Sequence, residues 1–309
     1  MQAVRRRIGT RGSPLALAQA REVCSRLAQA HGLPETEFEI VPITTSGDRI
    51  QNRPLSEAGG KGLFTKEIEE ALLARAIDLA VHSAKDMPTV LPDGLVIAAY
   101  PPREDVRDAF ISPRHISLDA LPAGAIVGTS SLRRQAQVLR RHPHLGVTGL
   151  RGNVETRLRK LEAGDADATL LACAGLNRLN LQHRITAPIE PDVMLPAVAQ
   201  GAIAIEIRAG DEDTAALLGA ICHEETALCV TAERAFLARL DGSCRTPIAG
   251  LATLSHGRLH LSGEILTPDG AQSHAGRRDG LPQEAVRMGQ DLAAELLGRA
   301  GPDFLRALA

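Results

Sequence analysis

Gly128-Thr129-Ser130-Ser131-Leu132-Arg133-Arg134 and, a little further on, Arg151-Gly152-Asn153-Val154-Glu155-Thr156-Arg157 decide how this chain is read. Each half reads as the end of a strand, a small polar turn and a helix start with arginine beside it. The flanking pattern predicts strand Ala125–Gly128, helix Leu132–Arg141, strand Gly146–Leu150, helix Val154–Ala163 and strand Ala168–Leu171. Such a βαβαβ run implies a largely parallel sheet. A helix start offers unpaired backbone N–H groups and the positive end of the helix dipole, and arginine adds two-point donation to an anion. Alone, each half reads better as an ordinary Ser or Asn N-cap with arginines on a solvated face. Two so close together read as a site for several negative charges. No G-x-x-x-x-G-K-[ST] sequence accompanies them, so a nucleotide is not the expected anion.

The same grammar recurs outward from this stretch. Val4–Gly9 is predicted as a strand, Thr10-Arg11-Gly12-Ser13-Pro14 as a turn, and a helix follows to about Ala30, with Ser13 as N-cap and Pro14 at the first helical position. Glu37–Ile43 reads as a strand. Gly47 to Gly62 is polar and aperiodic, and reads as a surface loop, either an active-site lid or a plain disordered segment. Helix resumes at Leu63-Phe64 and runs to about Ala76. Strand Asp78–Val81 delivers His82-Ser83-Ala84-Lys85-Asp86-Met87-Pro88 at its carboxyl end, where ligands bind in open α/β sheets. Asp86 is thus a candidate catalytic carboxylate with Ser83 and Lys85 beside it; the competing reading is a surface turn. Leu95–Ala99 and Asp108–Ser112 are further strands, and Arg178 is another arginine near a strand's carboxyl end.

Two connections, near residues 101–107 and 195–201, suggest that the chain leaves a first lobe and returns to it through strand Ile203–Arg208. Two lobes joined this way form a cleft that opens and closes. An amphipathic helix from Glu224 to Leu240, strands Ile248–Leu254, Leu259–Leu266 and Gln272–Gly276, and a helix from Pro282 to Arg299 form a small α+β domain. The expected domains are residues 1–101 with 202–221, 107–195, and 224–309.

With 309 residues the chain can bury several cores. Its aromatic share of 2% leaves those cores to Leu, Ile, Val and Ala, and denies single-stranded nucleic acid a stacking platform. A net charge of −2 places any anion site in local clusters. Against 31 arginines there are only four lysines, Lys61, Lys66, Lys85 and Lys160. The five cysteines are widely spaced, with no C-x-x-C, which suits a reduced cytoplasmic protein without structural zinc or another metal site. No apolar run reaches membrane-spanning length. Arg5, Arg6 and Arg7 in an acid-free start faintly resemble a transit peptide, but Ile8 onward already reads as domain sequence. Cys244 differs from the other cysteines: it sits in a Gly-Ser-Cys turn beside Arg245, where a cation lowers a thiol pKa. It reads as a nucleophile, a covalent attachment point or an inert loop cysteine.

Taken together, the chain resembles the porphobilinogen deaminase family. The resemblance rests on Gly9-Thr10-Arg11-Gly12-Ser13-Pro14-Leu15-Ala16-Leu17, Gly60-Lys61-Gly62-Leu63-Phe64, Val81 to Pro88, the two stretches quoted first, and Leu195-Pro196-Ala197-Val198-Ala199-Gln200-Gly201. These occur in the family's order and cover about residues 8 to 247. One departure concerns the family's Gly-Gly-Cys-Gln-Val-Pro, which here reads Gly242-Ser243-Cys244-Arg245-Thr246-Pro247.

The resemblance implies two periplasmic-binding-protein-like α/β lobes joined by a double hinge, plus the small α+β C-terminal domain. That domain would carry a dipyrromethane cofactor through a thioether to Cys244. The implied enzyme joins four porphobilinogen molecules with loss of ammonia and releases a linear tetrapyrrole, hydroxymethylbilane. Asp86 is then the catalytic carboxylate, stabilising the cation left when ammonia departs. Ser83, Lys85, Asp86, Thr129, Ser131, Arg133, Arg134, Arg151, Asn153 and Arg157 are the implied cofactor-binding residues. Arg11, Ser13, Lys61, Phe64, Arg151, Arg157, Arg178 and Gln200 are the implied substrate-binding residues. Each charge-assisted hydrogen bond to a pyrrole carboxylate contributes on the order of 1.5–3 kcal/mol. The implied protein is a cytoplasmic monomer with a small-molecule substrate and neither nucleic acid nor membrane as partner. The alternative is a non-catalytic two-lobed anion binder or sensor, which would need neither Cys244 nor a third domain.

Overall fold

The computed structural model describes residues 6–49, 62–240 and 247–308. Cys244, Lys61 and most of the predicted loop over residues 47–62 lie outside these. The described residues form two compact units, Met1–Glu104 with Ala202–Ala227, and Asp105–Gly201 with Leu228–Ala309.

The first unit contains β1 (Arg6–Arg11), α1 (Pro14–His31), β2 (Phe38–Ile43), α2 (Ser46–Arg49), α3 (Lys66–Leu73), β3 (Leu79–Ser83) and β4 (Leu95–Ala99). The second contains β5 (Asp108–Ile111), β6 (Ile126–Gly128), α4 (Leu132–Arg141), β7 (Gly146–Thr148), α5 (Val154–Glu162), β8 (Ala168–Ala172), α6 (Cys173–Arg178) and β9 (Ala187–Ile189). The chain then returns to the first unit with β10 (Ile203–Arg208) and α7 (Glu212–Gly219). Helix α8 (Glu224–Arg239) leads to β11 (Ile248–Ser255), β12 (Arg258–Leu266), β13 (Ser273–Gly280) and α9 (Ala285–Leu308), the last broken at Gly301.

The strand orders are β2-β1-β3-β10-β4 and β7-β6-β8-β5-β9, two copies of one pattern. Three neighbouring strands in each sheet are parallel, but β10 and β5 run antiparallel to both neighbours. The expected parallel strands of the βαβαβ run are present, and the one reversed strand in each sheet follows from connectivity. Each antiparallel strand is the first after a crossing of the chain, and it starts level with the carboxyl end of its neighbour. Ile203 pairs with Ser83, and Asp108 with Ala172. The architecture is the expected pair of α/β lobes with a small C-terminal α+β part, whose own antiparallel sheet is β11-β12-β13.

Both lobe sheets are covered on two faces. In the first, Ala20, Val23 and Leu27 of α1 pack on Ile8, Leu79, Val81 and Ile205, while Ile68 and Leu72 of α3 pack on the opposite face with Ile77 and Ala80. Burial on both sides explains why these strands are nearly continuous apolar runs. Helix α1 begins as its sequence requires: Ser13 Oγ accepts from Ala16 N at 3.3 Å, and Gly32 closes the helix at φ 63. In the C-terminal part, the ring of the fully buried Phe236 of α8 packs on Gly263, where a Cβ would lie 2.6 Å from it.

Local departures from the sequence reading are small but concern the site. Strand β1 extends through Arg11, so the predicted turn shrinks to Gly12-Ser13. The described start of the 47–62 stretch is the helical turn α2. Residues 62–65 form a turn before α3, so Phe64 precedes that helix. Strand β3 includes His82 and Ser83. Arg178 ends a short helix for which the sequence reading gave no element.

Candidate active site

In the first unit, β3 ends at Ser83 and a 3-10 turn over Ala84–Asp86 brings Asp86 to the surface. Asp86 lines a pocket with Arg11, Ser13, Gln19, Phe64, Thr65, His82 and Ser83. Four predicted residues besides Asp86 are therefore brought together: Arg11, Ser13, Phe64 and Ser83. Lys85 is half-buried on the same turn and is not among the lining residues. Arg11 stacks its guanidinium 4.2 Å from the Phe64 ring centre and donates to Asp48. Burial pushes Asp48 up, yet the Arg11 and Thr45 hydrogen bonds hold it below the ordinary carboxylate range. The Ser83 hydroxyl and the Gln19 amide lie 2.9–3.0 Å apart. The sequence reading missed Gln19, Thr65 and Asp48. The only available signal for Gln19 was a polar side chain on the otherwise apolar face of α1.

In the second unit, the register pairs Gly128 with Thr148 and so sets the two opening turns side by side. Thr129 N donates to Thr148 O at 2.8 Å, and Ser130 Oγ to Leu150 O at 3.0 Å. The N-cap reading holds for both helices: Ser131 Oγ accepts from Arg134 N at 3.4 Å, and Asn153 Oδ1 from Thr156 N at 2.9 Å. Arg157 Nε donates to Gly152 O, and Arg178 Nη2 to Gly201 O. Arg151 and Arg157 are half-buried.

Arg133 and Arg134 are not on a solvated face. Both are at most 5% exposed and flank the fully buried Asp108 at the start of β5. Arg134 donates to Asp108 Oδ1 from Nε at 3.0 Å and Nη2 at 2.7 Å, and to Leu170 O from Nη1. Each of its three nitrogens makes one of these bonds, which leaves two of the five guanidinium N–H groups outside them. Gln200 is fully buried, and its amide nitrogen donates to Val106 O and Asp108 Oδ1. A carboxylate taken out of water needs these donors. Burial alone would raise Asp108, but Arg133 and Arg134 hold it far below the ordinary carboxylate range.

Arg133 differs from Arg134. Its Nη1 lies 2.8 Å from Asp108 Oδ2 and donates to Leu195 O, but its buried Nε has no hydrogen-bond partner. Two buried guanidinium groups face one buried carboxylate, and the half-buried Glu264 is a further negative charge acting on Arg133. The unused Arg133 N–H suits an anionic group, and so fits a cofactor bearing carboxylates. Asp108 carried no signal in the sequence beyond being an acid at the first position of a strand.

Two family models match the chain. The first, described as porphobilinogen deaminase, dipyromethane cofactor binding domain, matches residues 6–216. The second, the porphobilinogen deaminase C-terminal domain, matches residues 227–298. The chain belongs to the porphobilinogen deaminase family. Among curated relatives, the porphobilinogen deaminase of Paracoccus denitrificans is 61% identical over 298 residues, 96% of this chain and 95% of that protein. That of Nitrobacter hamburgensis is 61% identical over 302 residues, 98% and 96% of the two chains. Among the described residues, no group of three or more His, Cys, Asp or Glu could hold a metal ion, and no single helix is long and apolar enough to cross a membrane.

Proposed function

We infer that this protein is a hydroxymethylbilane synthase. It condenses four porphobilinogen molecules stepwise, with loss of ammonia, onto a dipyrromethane primer and hydrolyses off the linear tetrapyrrole. The observation that carries this reading is the 61% identity to porphobilinogen deaminases across 96% of the chain. A non-catalytic anion binder is disfavoured, because such a protein would not need the C-terminal domain matched over residues 227–298.

When bound, the dipyrromethane supplies the pyrrole carbon to which the first substrate is joined. Cys244 holds it by a thioether. Arg133 meets one of its carboxylates with its unused Nε–H, while Arg134 and Gln200 keep Asp108 in place. Ser83, Lys85, Thr129, Ser131, Arg151, Asn153 and Arg157 complete its surroundings. Arg11, Ser13, Phe64, Lys61 and Arg178 receive the carboxylates of porphobilinogen, for which Arg11 must share or leave Asp48. Asp86, exposed in its pocket, balances the positive charge left on the substrate when the amine departs. Residues 224–309 act as the third, cofactor-bearing domain, and the enzyme works as a cytoplasmic monomer.

Intact-protein mass spectrometry tests the assignment. The native chain is expected to carry the added mass of two linked pyrrole units, and Cys244→Ser to lack it. An active native enzyme without added mass would reject the role of Cys244.

A further inference from the structure

Arg11 is the last residue of β1 and pairs with Ile43, the last residue of β2. The chain leaving β2 turns at once into α2, which sets Asp48 against the Arg11 side chain. Arg11 Nε donates to Asp48 Oδ1 at 3.1 Å, and Nη2 donates to the same oxygen. The other oxygen, Oδ2, accepts from Thr45 N at 3.2 Å and from Thr45 Oγ1 at 2.8 Å. The turn itself is tied down: Gly47 N donates to Leu63 O and Ser46 N to Glu67 Oε1, each at 2.8 Å. Gly47 also abuts the Phe64 ring, where a Cβ would lie 2.3 Å from it. Phe64 in turn carries the Arg11 guanidinium, 4.2 Å from the ring centre. A ring therefore supports the plane of the guanidinium, and a fixed carboxylate holds one of its edges.

A guanidinium has five N–H groups. Asp48 engages Nε and Nη2, and among the described residues Nη1 makes no hydrogen bond. The Nη1–Nη2 edge can bind a second carboxylate through two parallel bonds. Arg11 lines the Asp86 pocket, so that edge is available to a guest there. We propose that Asp48 is the positioning residue for Arg11: by occupying the Nε–Nη2 edge it fixes the other edge to receive a carboxylate of porphobilinogen. This rests on the substrate-binding role assigned to Arg11 above, and it has Arg11 share Asp48 rather than leave it.

Asp48 carries the same sign of charge as that guest. Its oxygens already accept from Arg11 and Thr45, so its charge is offset where it stands, and its remaining influence is on the orientation of Arg11. A free arginine loses rotamer freedom when it binds, which weakens affinity about two- to tenfold; an arginine already held by Asp48 and Phe64 loses little.

Asp48→Asn tests the proposal. Both carboxylate oxygens accept hydrogen bonds, so no orientation of an amide satisfies Arg11 and Thr45 together. Steady-state kinetics of the cofactor-loaded enzyme should show KM for porphobilinogen raised about two- to tenfold with kcat little changed, the pattern of lost uniform binding. Thr45→Val, which removes one donor to Asp48, should shift KM less and in the same direction. In an Arg11→Ala background, Asp48→Asn should add nothing further, because Asp48 acts through Arg11. A KM equal to that of the wild type would overturn the proposal, and a lower KM would replace it with a carboxylate that competes with substrate. A rise that persists in full without Arg11 would overturn it too, reducing Asp48 to a support of its own turn. Absence of turnover in the wild type would instead overturn the assigned reaction, and the proposal with it.

Discussion

Asp86 and Asp108 are both aspartates near the carboxyl ends of strands, yet their surroundings separate their work. Asp108 is fully buried and surrounded by donors, so it is fixed and ionised, and its task is to hold Arg133 and Arg134. Asp86 is exposed in a pocket whose other walls carry Arg11, Ser13 and Ser83, so its charge is available to a bound molecule. Removing a group that stabilises transition-state charge typically lowers kcat by 10²–10³. Asp86→Ala should therefore lose about a hundredfold or more in kcat while keeping the added cofactor mass and a nearly unchanged unfolding midpoint. Near-normal turnover would remove Asp86 from the mechanism. The place of Asp86 was legible in the sequence because it follows the carboxyl end of a buried strand, although Asp and Pro would serve a plain surface turn as well. Asp108 was not, because an acid at the start of a strand shows neither its burial nor its two arginine neighbours.

At the scale of elements, the C-terminal part depends on close approach of backbones. Helices α8 and α9 cross at Gly289, where a Cβ would lie 2.4 Å from Ala232 O and 2.6 Å from Phe236 N. Neither is a side chain that can swing aside. Gly289→Ala should force the helices apart and cost about 1–3 kcal/mol, the range for overpacking, read as a lower denaturation midpoint. An unchanged midpoint would mean that the helices separate freely. A second contact involves the turn Pro268-Asp269-Gly270: Gln135 Nε2 on α4 donates to Pro268 O at 3.2 Å, and a Cβ on Gly270 would lie 2.4 Å from Ala136 O. The helix that bears Arg133 and Arg134 is thereby braced by the C-terminal sheet. Strong local signals gave the bounds of α4, with Ser131 as its cap. The short helices α2, α6 and α7 escaped because stretches so brief show little periodicity, and α6 follows its strand with no turn residue between them.

At the scale of the molecule, the paired carboxylates set the response to acid. Asp48, Asp78, Asp105, Asp108 and Asp211 all have depressed pKa values, each opposed by burial and held down by hydrogen bonds or charges, chiefly from arginine. A group depressed in the folded state stabilises it above its unfolded pKa, and that stability is lost as the pH falls through the folded value. Stability should therefore decline from about pH 4 downward, since an unfolded aspartate titrates near 3.9. Asp108→Asn leaves two buried arginines without their counter-charge and should cost about 3–5 kcal/mol near neutral pH. Denaturant titrations should show the wild type and this variant converging as the pH falls below 4. A gap that stays constant would mean that the Asp108 charge is not what holds the cluster. Glu69 has the opposite sign: its raised pKa gives stability that is present below the ordinary carboxylate range and lost as the pH rises through the folded value.

The sequence by itself determined the alternation of strands and helices, the two crossings of the chain, the N-caps at Ser13, Ser131 and Asn153, and the family. All of these rest on local chemistry: a cap needs a hydroxyl or amide at one position, and a buried strand needs a run of apolar residues. Only the tertiary structure decided that Arg134 and Gln200 turn inward to Asp108, that Arg133 keeps an unused N–H, and that His82 meets Glu206. Arg134 and Asp108 are 26 residues apart, and His82 and Glu206 are 124 apart. Which charge meets which across such distances depends on strand order and register, and only the folded sheets set those.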